Sequence, residues 1–184
     1  LAAMGILTDS PILIVGAMVV GPEFGPLAAL CVAVVRRRPT IARRAGAALT
    51  VGFVAAITAS YVATLALRAF SLGPDELGPE SRAQTFFISH PDTFSVLVAL
   101  LAGTAGMLSL STAKSGALIG VLISVTTIPA AANIGVAAAY QDWEEWRGAM
   151  LQLVINRSMI LLAGVATLAI ERRLYNRRSE QRRM

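Results

Sequence analysis

Two ionisable residues stand alone in stretches that otherwise carry no charge. Glu23 lies in the apolar run 11–35, and Arg157 lies in the apolar run 148–170. A charge at the centre of a membrane helix costs about 2.5–3.5 kcal/mol on insertion scales, so each residue asks for a partner or a polar cavity. Counting about 1.5 Å per residue from the same end places Glu23 roughly 18 Å deep and Arg157 roughly 14 Å deep. That agreement, within one helical turn, predicts that the two face each other across the bundle interior with Asn156 beside them. Such a pair is charge-assisted and suited to a bidentate fork. It can serve as a static clamp between helices or as a site that opens to bind a polar solute or ion. A buried carboxyl such as Glu23 can also take up a proton.

The backbone around Glu23 is itself unusual. The segment Gly21-Pro22-Glu23-Phe24-Gly25-Pro26 places two Gly-Pro steps four residues apart inside an apolar run. Each proline removes a donor and crowds the preceding turn, while Gly21 and Gly25 open dihedrals that other residues avoid. The run should therefore break or bend sharply. At membrane depth, broken backbone is tolerated only inside protein or against a water-filled cavity. A milder version recurs in the run 115–140, where Pro129 frees the carbonyl of Val125 and Thr126, Thr127 and Asn133 can supply local hydrogen bonds. The expected binding set is Glu23, Arg157, Asn156, Gly21, Pro22, Gly25, Thr126, Thr127, Pro129 and Asn133.

The elements that must position these residues are membrane helices. Of the 184 residues 55 % are hydrophobic and 15 % charged, and the mean hydropathy is +0.66, so the chain cannot clothe itself in a polar surface. Five runs, 11–35, 45–67, 93–113, 115–140 and 148–170, are each long enough to cross a hydrocarbon core of about 30 Å. Residues 1–9 read as the last turns of a truncated helix, with no basic leader that would mark a signal peptide. The expectation is a single all-α transmembrane domain: a polytopic bundle of five full helices plus that truncated first one, with a basic tail at 171–184.

Charge distribution orients the bundle. Arg36, Arg37, Arg38, Arg43, Arg44, Lys114 and the arginines of the tail fall on one side if the runs alternate, and most acidic loop residues fall on the other. The positive-inside rule then makes the C-terminal tail cytoplasmic and turns the loops 71–92 and 141–147 outward. The net charge of +5 is thereby accounted for by orientation, and no nucleic acid is expected as a partner. The partners expected are the lipid bilayer, a small polar solute or ion, and further copies of the chain. The tail arginines can also meet anionic lipid head groups. Trp143 and Trp146 read as interfacial anchors. His90, the single histidine, reads as a solvated loop residue, and Cys31, the single cysteine, as a small packed side chain.

A faint internal repeat is present. Ser10, Leu13 and Ile14 match Ser115, Leu118 and Ile119, and each segment then meets proline. The two segments start from opposite sides, which suggests a 3+3 inverted repeat with broken helices at 11–35 and 115–140, an arrangement that in transporters points to a midplane site. The Gly116–Gly120 and Gly21–Gly25 steps favour close helix packing, and a bundle this small is expected to form a homo-oligomer.

The segments 5–11, 15–22 and 25–27, with Thr127-Ile128-Pro129-Ala130-Ala131 and Asn156, resemble the membrane family known as domain of unknown function 389, or the uncharacterised hydrophobic domain. The resemblance implies a six-helix membrane domain, often preceded by a small soluble domain, and it brings no established activity. With one histidine, one cysteine and neither an HExxH nor a GxSxG pattern, no enzyme, catalytic residue, metal ligand or cofactor is expected. The leading expectation is an integral membrane protein that binds or transports a small polar solute or ion at a midplane site formed by broken helices. The alternative is a membrane ligand sensor or scaffold coupled to an upstream cytoplasmic domain, without transport.

Overall fold

The computed structural model describes residues 1–20, 23–74, 77–78, 85, 88, 92–111 and 116–181, with the side chains at 111, 116–126, 176 and 178–181 outside that description. Among the described residues the chain is all helical, with α1 (Ala2–Leu7), α2 (Pro11–Val20), α3 (Phe24–Val35), α4 (Pro39–Ala69), α5 (Thr93–Ser111), α6 (Gly116–Tyr140) and α7 (Trp143–Gln181).

Local chemistry accounts for where these helices begin and end. Pro39 opens α4, where its missing N–H costs nothing and its fixed φ suits the first turn. Asp92 precedes α5 and accepts the Ser95 N–H at 2.7 Å, while Asp142 precedes α7 and accepts the Glu145 N–H at 3.1 Å. Four helices, α1, α3, α4 and α6, run out into a residue with positive φ: Asp9 (46°), Arg37 (52°), Ser71 (55°) and Gln141 (59°). The following N–H then reaches back to the last turn, as in Arg38 N–H to Ala33 at 2.8 Å and Asp142 N–H to Ala137 at 3.0 Å.

The surface is that of a membrane protein. The helices Pro39–Ala69, Thr93–Leu110 and Trp143–Tyr175 are long and apolar enough to cross a bilayer, and α2 with α3 makes a fourth span if the bent pair counts as one. Ile12, Val19, Val51, Phe94, Leu101 and Leu162 all point outward, a distribution that water would penalise and lipid does not. Inside, close approach of helices replaces bulk. A methyl added at Gly135 would come 2.5 Å from the Ile57 carbonyl oxygen of α4, and one at Gly103 would come 2.5 Å from the Ile160 carbonyl oxygen of α7.

Helix α6 packs against each of the other six helices. It also separates two cores. Ala130 and Ile134 join Leu27, Cys31, Phe53, Met107 and Ile160 in one, whereas Ala132 and Val136 join Ile6, Ile14 and Met18 in the other. Helices α2 and α3 thus belong to different cores, and their axes diverge by 55°.

Several boundaries differ from those expected. The run 115–140 is not broken: α6 passes through Pro129 as one helix. Prolines are tolerated in this way where neighbouring groups and small local adjustments satisfy the freed carbonyl. The tail expected at 171–184 does not separate from its helix, because α7 continues to Gln181. Helix α4 begins at Pro39, well before the apolar run at 45, and so carries Arg43 and Arg44 on its first turns. His90, Lys114 and much of the loop 71–92 lie outside the described residues.

The two ends of the bundle differ in charge. Arg172 on α7 donates through Nη1 to the Val35 carbonyl at 2.7 Å, which brings the tail arginines to the same end as Arg36–Arg38. At the other end, Arg68 of α4 donates to the Ala139 carbonyl and lies 4.3 Å from the Tyr140 ring centroid. Tyr140 in turn donates to the Pro74 carbonyl at 2.7 Å. Trp143 is exposed at that end and meets Trp146 edge-on at 6.3 Å, while Trp146 packs against the core.

Candidate functional site at the α2–α3 joint

Glu23 occupies the joint between α2 and α3. Its backbone is already close to helical (φ −73°, ψ −18°), and its carbonyl accepts the Leu27 N–H at 3.1 Å. The carboxylate therefore sits at the start of α3, where the helix dipole favours negative charge. It is 7 % exposed. Oε1 accepts a hydrogen bond from Thr127 Oγ1 of α6 at 3.1 Å, and Oε2 is buried without a hydrogen-bond partner.

Thr127 reaches another helix through its hydroxyl. Thr50, Thr58, Thr64, Thr104 and Thr167 each donate to the carbonyl one turn earlier in their own helix. That back-bonding is the usual fate of a hydroxyl in an apolar helix. Thr127, fully buried two residues before Pro129, donates across to Glu23.

A cavity of about 120 Å³ opens beside the carboxylate, lined by Glu23, Pro26, Leu49, Gly52, Phe53 and Ile128. Its walls are apolar apart from Glu23. Phe53, on α4, lines this cavity and also meets Arg157, whose guanidinium carbon is 5.1 Å from the Phe53 ring centroid. The expected Glu23–Arg157 pair is therefore corrected. The carboxylate engages Thr127, and the guanidinium lies over the face of an aromatic ring, which attracts a cation through its quadrupole.

Asn156 shows why. It is fully buried, while Arg157 is only half-buried. Successive residues on a helix point about 100° apart, so the two cannot share a face. Asn156 belongs to the inward stripe of α7 with Glu145, Ala149, Gln152, Ile160 and Ala163, whereas Arg157 turns toward α4. The levels nonetheless agree. Thr127 lies 13 residues before Tyr140, the end of α6, and Asn156 lies 13 residues after Trp143, the start of α7. Either side of their short connection, that is about 20 Å of rise.

The other expected residues divide. Asn133 is fully buried but donates to Glu145 Oε2 at 3.1 Å, so it forms a second polar contact nearer the turn between α6 and α7. Pro129 is buried in α6, and Gly25 is exposed with open space where a side chain would stand. Gly21, Pro22 and the side chain of Thr126 lie outside the described residues. Three residues were missed. Phe53 lines the cavity beside Glu23 and carries the Arg157 contact. Glu145 and Gln152 lie seven and four residues apart in a series with Asn156, a spacing that puts all three on one helical face. Gln152 is 5 % exposed, and its Oε1 is buried without a hydrogen-bond partner. Among the described residues no group of three His, Cys, Asp or Glu side chains comes together as a metal site would require.

A family model described as a domain of unknown function, DUF389, matches residues 18–162. The chain belongs to the DUF389 family. The matched region of this DUF389 protein runs from the end of α2 into α7 and contains Glu23, Phe53, Thr127, Asn156 and Arg157. No curated protein and no solved structure matches it.

Proposed function

We propose that this DUF389 protein binds a small cation, the proton included, at Glu23 and carries it across the bilayer. The supporting observation is the carboxylate itself: one oxygen is held by Thr127, the other is buried without a hydrogen-bond partner, and among the described residues Glu23 is the one charged residue that lines the adjoining cavity. The charge of the wall selects a cation. At about 30 Å³ per water, the cavity has room for about four waters, which suits an ion with part of its hydration shell better than a sugar. Asn156 at the same level and Gln152 one turn away extend a polar path along α7 toward Glu145 and the outer turn.

The six-helix, 3+3 inverted-repeat reading belongs with this proposal. Helices α1 to α4 and α5 to α7 both end in a long helix with arginines at one end, α4 and α7. Association of copies is also part of it. Ala48, Gly52, Ala55 and Ala59 form an exposed stripe of small residues along α4, which permits close approach of a second copy. The C-terminal tail is assigned to the cytoplasm of a cell-membrane protein by its arginines. A second reading, sensing without transport, draws on α7. That helix carries Asn156 and continues unbroken to Gln181, so it can convey a change at the site to the aqueous side.

The test is a thermal-shift screen of detergent-purified protein against alkali cations, pH, sugars, polyols and amino acids, followed by flux assays in liposomes. A ligand bound only by the folded state raises the melting temperature. Stabilisation by a cation that disappears in Glu23→Gln, together with flux, supports transport. Binding without flux favours sensing, and a cation response unchanged in Glu23→Gln overturns the proposal.

A further inference from the structure

We infer that the basic end of the bundle holds a specific site for a phospholipid with an anionic head group. A cleft of about 860 Å³ lies there between the end of α3 and the last turns of α7. Val32 and Leu168 form its apolar part, and Arg36, Arg38, Arg172 and Tyr175 line it as well. The cleft straddles the edge of the hydrocarbon layer: Ile170 is the last residue of the uncharged run of α7, just ahead of Glu171 and Arg172, and Val35 is the last residue of α3, just ahead of Arg36. A lipid is the one ligand that brings apolar chain and phosphate together at that height.

One of the cations is held in place. Arg172 donates Nη1 to the Val35 carbonyl at 2.7 Å, which satisfies the exposed end of α3 and fixes the guanidinium at the mouth of the cleft. Guanidinium groups offer further donors in a fork that matches phosphate oxygens. Arg36 and Arg38 flank the positive-φ residue Arg37 in the tight turn that ends α3, so their placement follows from the cap. Glu171 also lines the cleft, leaving three arginines against one carboxylate and a net preference for an anion. A free phosphate ester has the same head-group chemistry, but it would leave Val32 and Leu168 in contact with water.

Native mass spectrometry of the full chain in detergent tests the site, with phosphatidylglycerol, phosphatidylcholine and glycerol phosphate as probes. Phosphatidylglycerol should bind in a defined stoichiometry and resist displacement by either of the others. Juxtamembrane arginines contribute about fivefold each, so the double variant Arg36→Gln/Arg38→Gln should weaken binding about 30-fold. Arg43→Gln/Arg44→Gln, which removes two exposed arginines outside the cleft, should leave it unchanged. Equal retention of phosphatidylcholine, full displacement by glycerol phosphate, or an equal loss in both double variants would overturn the inference. All these side chains are exposed, and an unchanged gel-filtration profile confirms folding.

Discussion

Thr127 Oγ1 and Glu23 Oε1 lie 3.1 Å apart although 104 positions separate them in the chain. This contact ties α6 to the joint between α2 and α3, and with it the two cores that α6 separates. A hydrogen bond to a buried charged group contributes about 1.5–3 kcal/mol. Thr127→Val should therefore lower stability by about that amount. A double-mutant cycle with Glu23→Gln should return a coupling energy of about 1 kcal/mol or more, read from melting in detergent. Strict additivity would mean the contact does not form.

Arg157 and Glu23 should behave as independent sites. Since Glu23 engages Thr127 and Arg157 engages the Phe53 ring, the effects of Glu23→Gln and Arg157→Gln should add to within about 0.5 kcal/mol. Phe53→Leu, by contrast, should couple to Arg157→Gln, because it removes a cation–π contact of about 0.5–2 kcal/mol. The same melting measurements decide between this arrangement and a direct ion pair.

Glycine substitutions should divide by position. Gly135→Ala drives a methyl into the backbone of α4 and should destabilise the α4–α6 crossing by more than about 1 kcal/mol, or prevent assembly. Gly25→Ala meets nothing within 4 Å and should be neutral or gain up to about 1 kcal/mol from helix propensity. Expression and melting temperature of the two variants make the comparison.

Stability should fall in acid through Asp92. The N–H of Ser95, and then its hydroxyl, holds this exposed carboxyl below its ordinary value of 3.8. Because the folded value is the lower one, the contribution is complete above the unfolded value and is lost as pH falls below about 4 through the folded one. Asp92→Asn should flatten the acid limb of a plot of melting temperature against pH.

Much of this architecture was legible in the sequence, because membrane helices declare themselves by length and composition. The bend at Gly-Pro-Glu-Phe-Gly-Pro and the burial of Glu23 and Thr127 could be read from residue type alone. Depth was countable, since rise per residue accumulates slowly, and the count puts Asn156, next to Arg157, level with Thr127. Azimuth was not. At about 100° per residue, one position separates a core residue from one facing another helix. Asn156 and Arg157 were read as neighbours and point to different places. Pro129 misled in the opposite direction, because a proline's effect on a helix depends on what surrounds it. Gln152 and Glu145 were detectable from their spacing with Asn156, but uncharged Gln152 drew no notice beside a lone arginine.

The distance in sequence between Glu23 and Thr127 has a consequence for synthesis. Chains elongate at about 5–20 residues per second. The carboxylate therefore emerges about 5–20 s before the hydroxyl that will hold it. Until α6 enters, the nascent chain must keep Glu23 protonated, leave it at the membrane surface, or shelter it against the insertion machinery. Insertion of the α2–α3 joint is thus provisional, and α6 is the helix that makes it permanent.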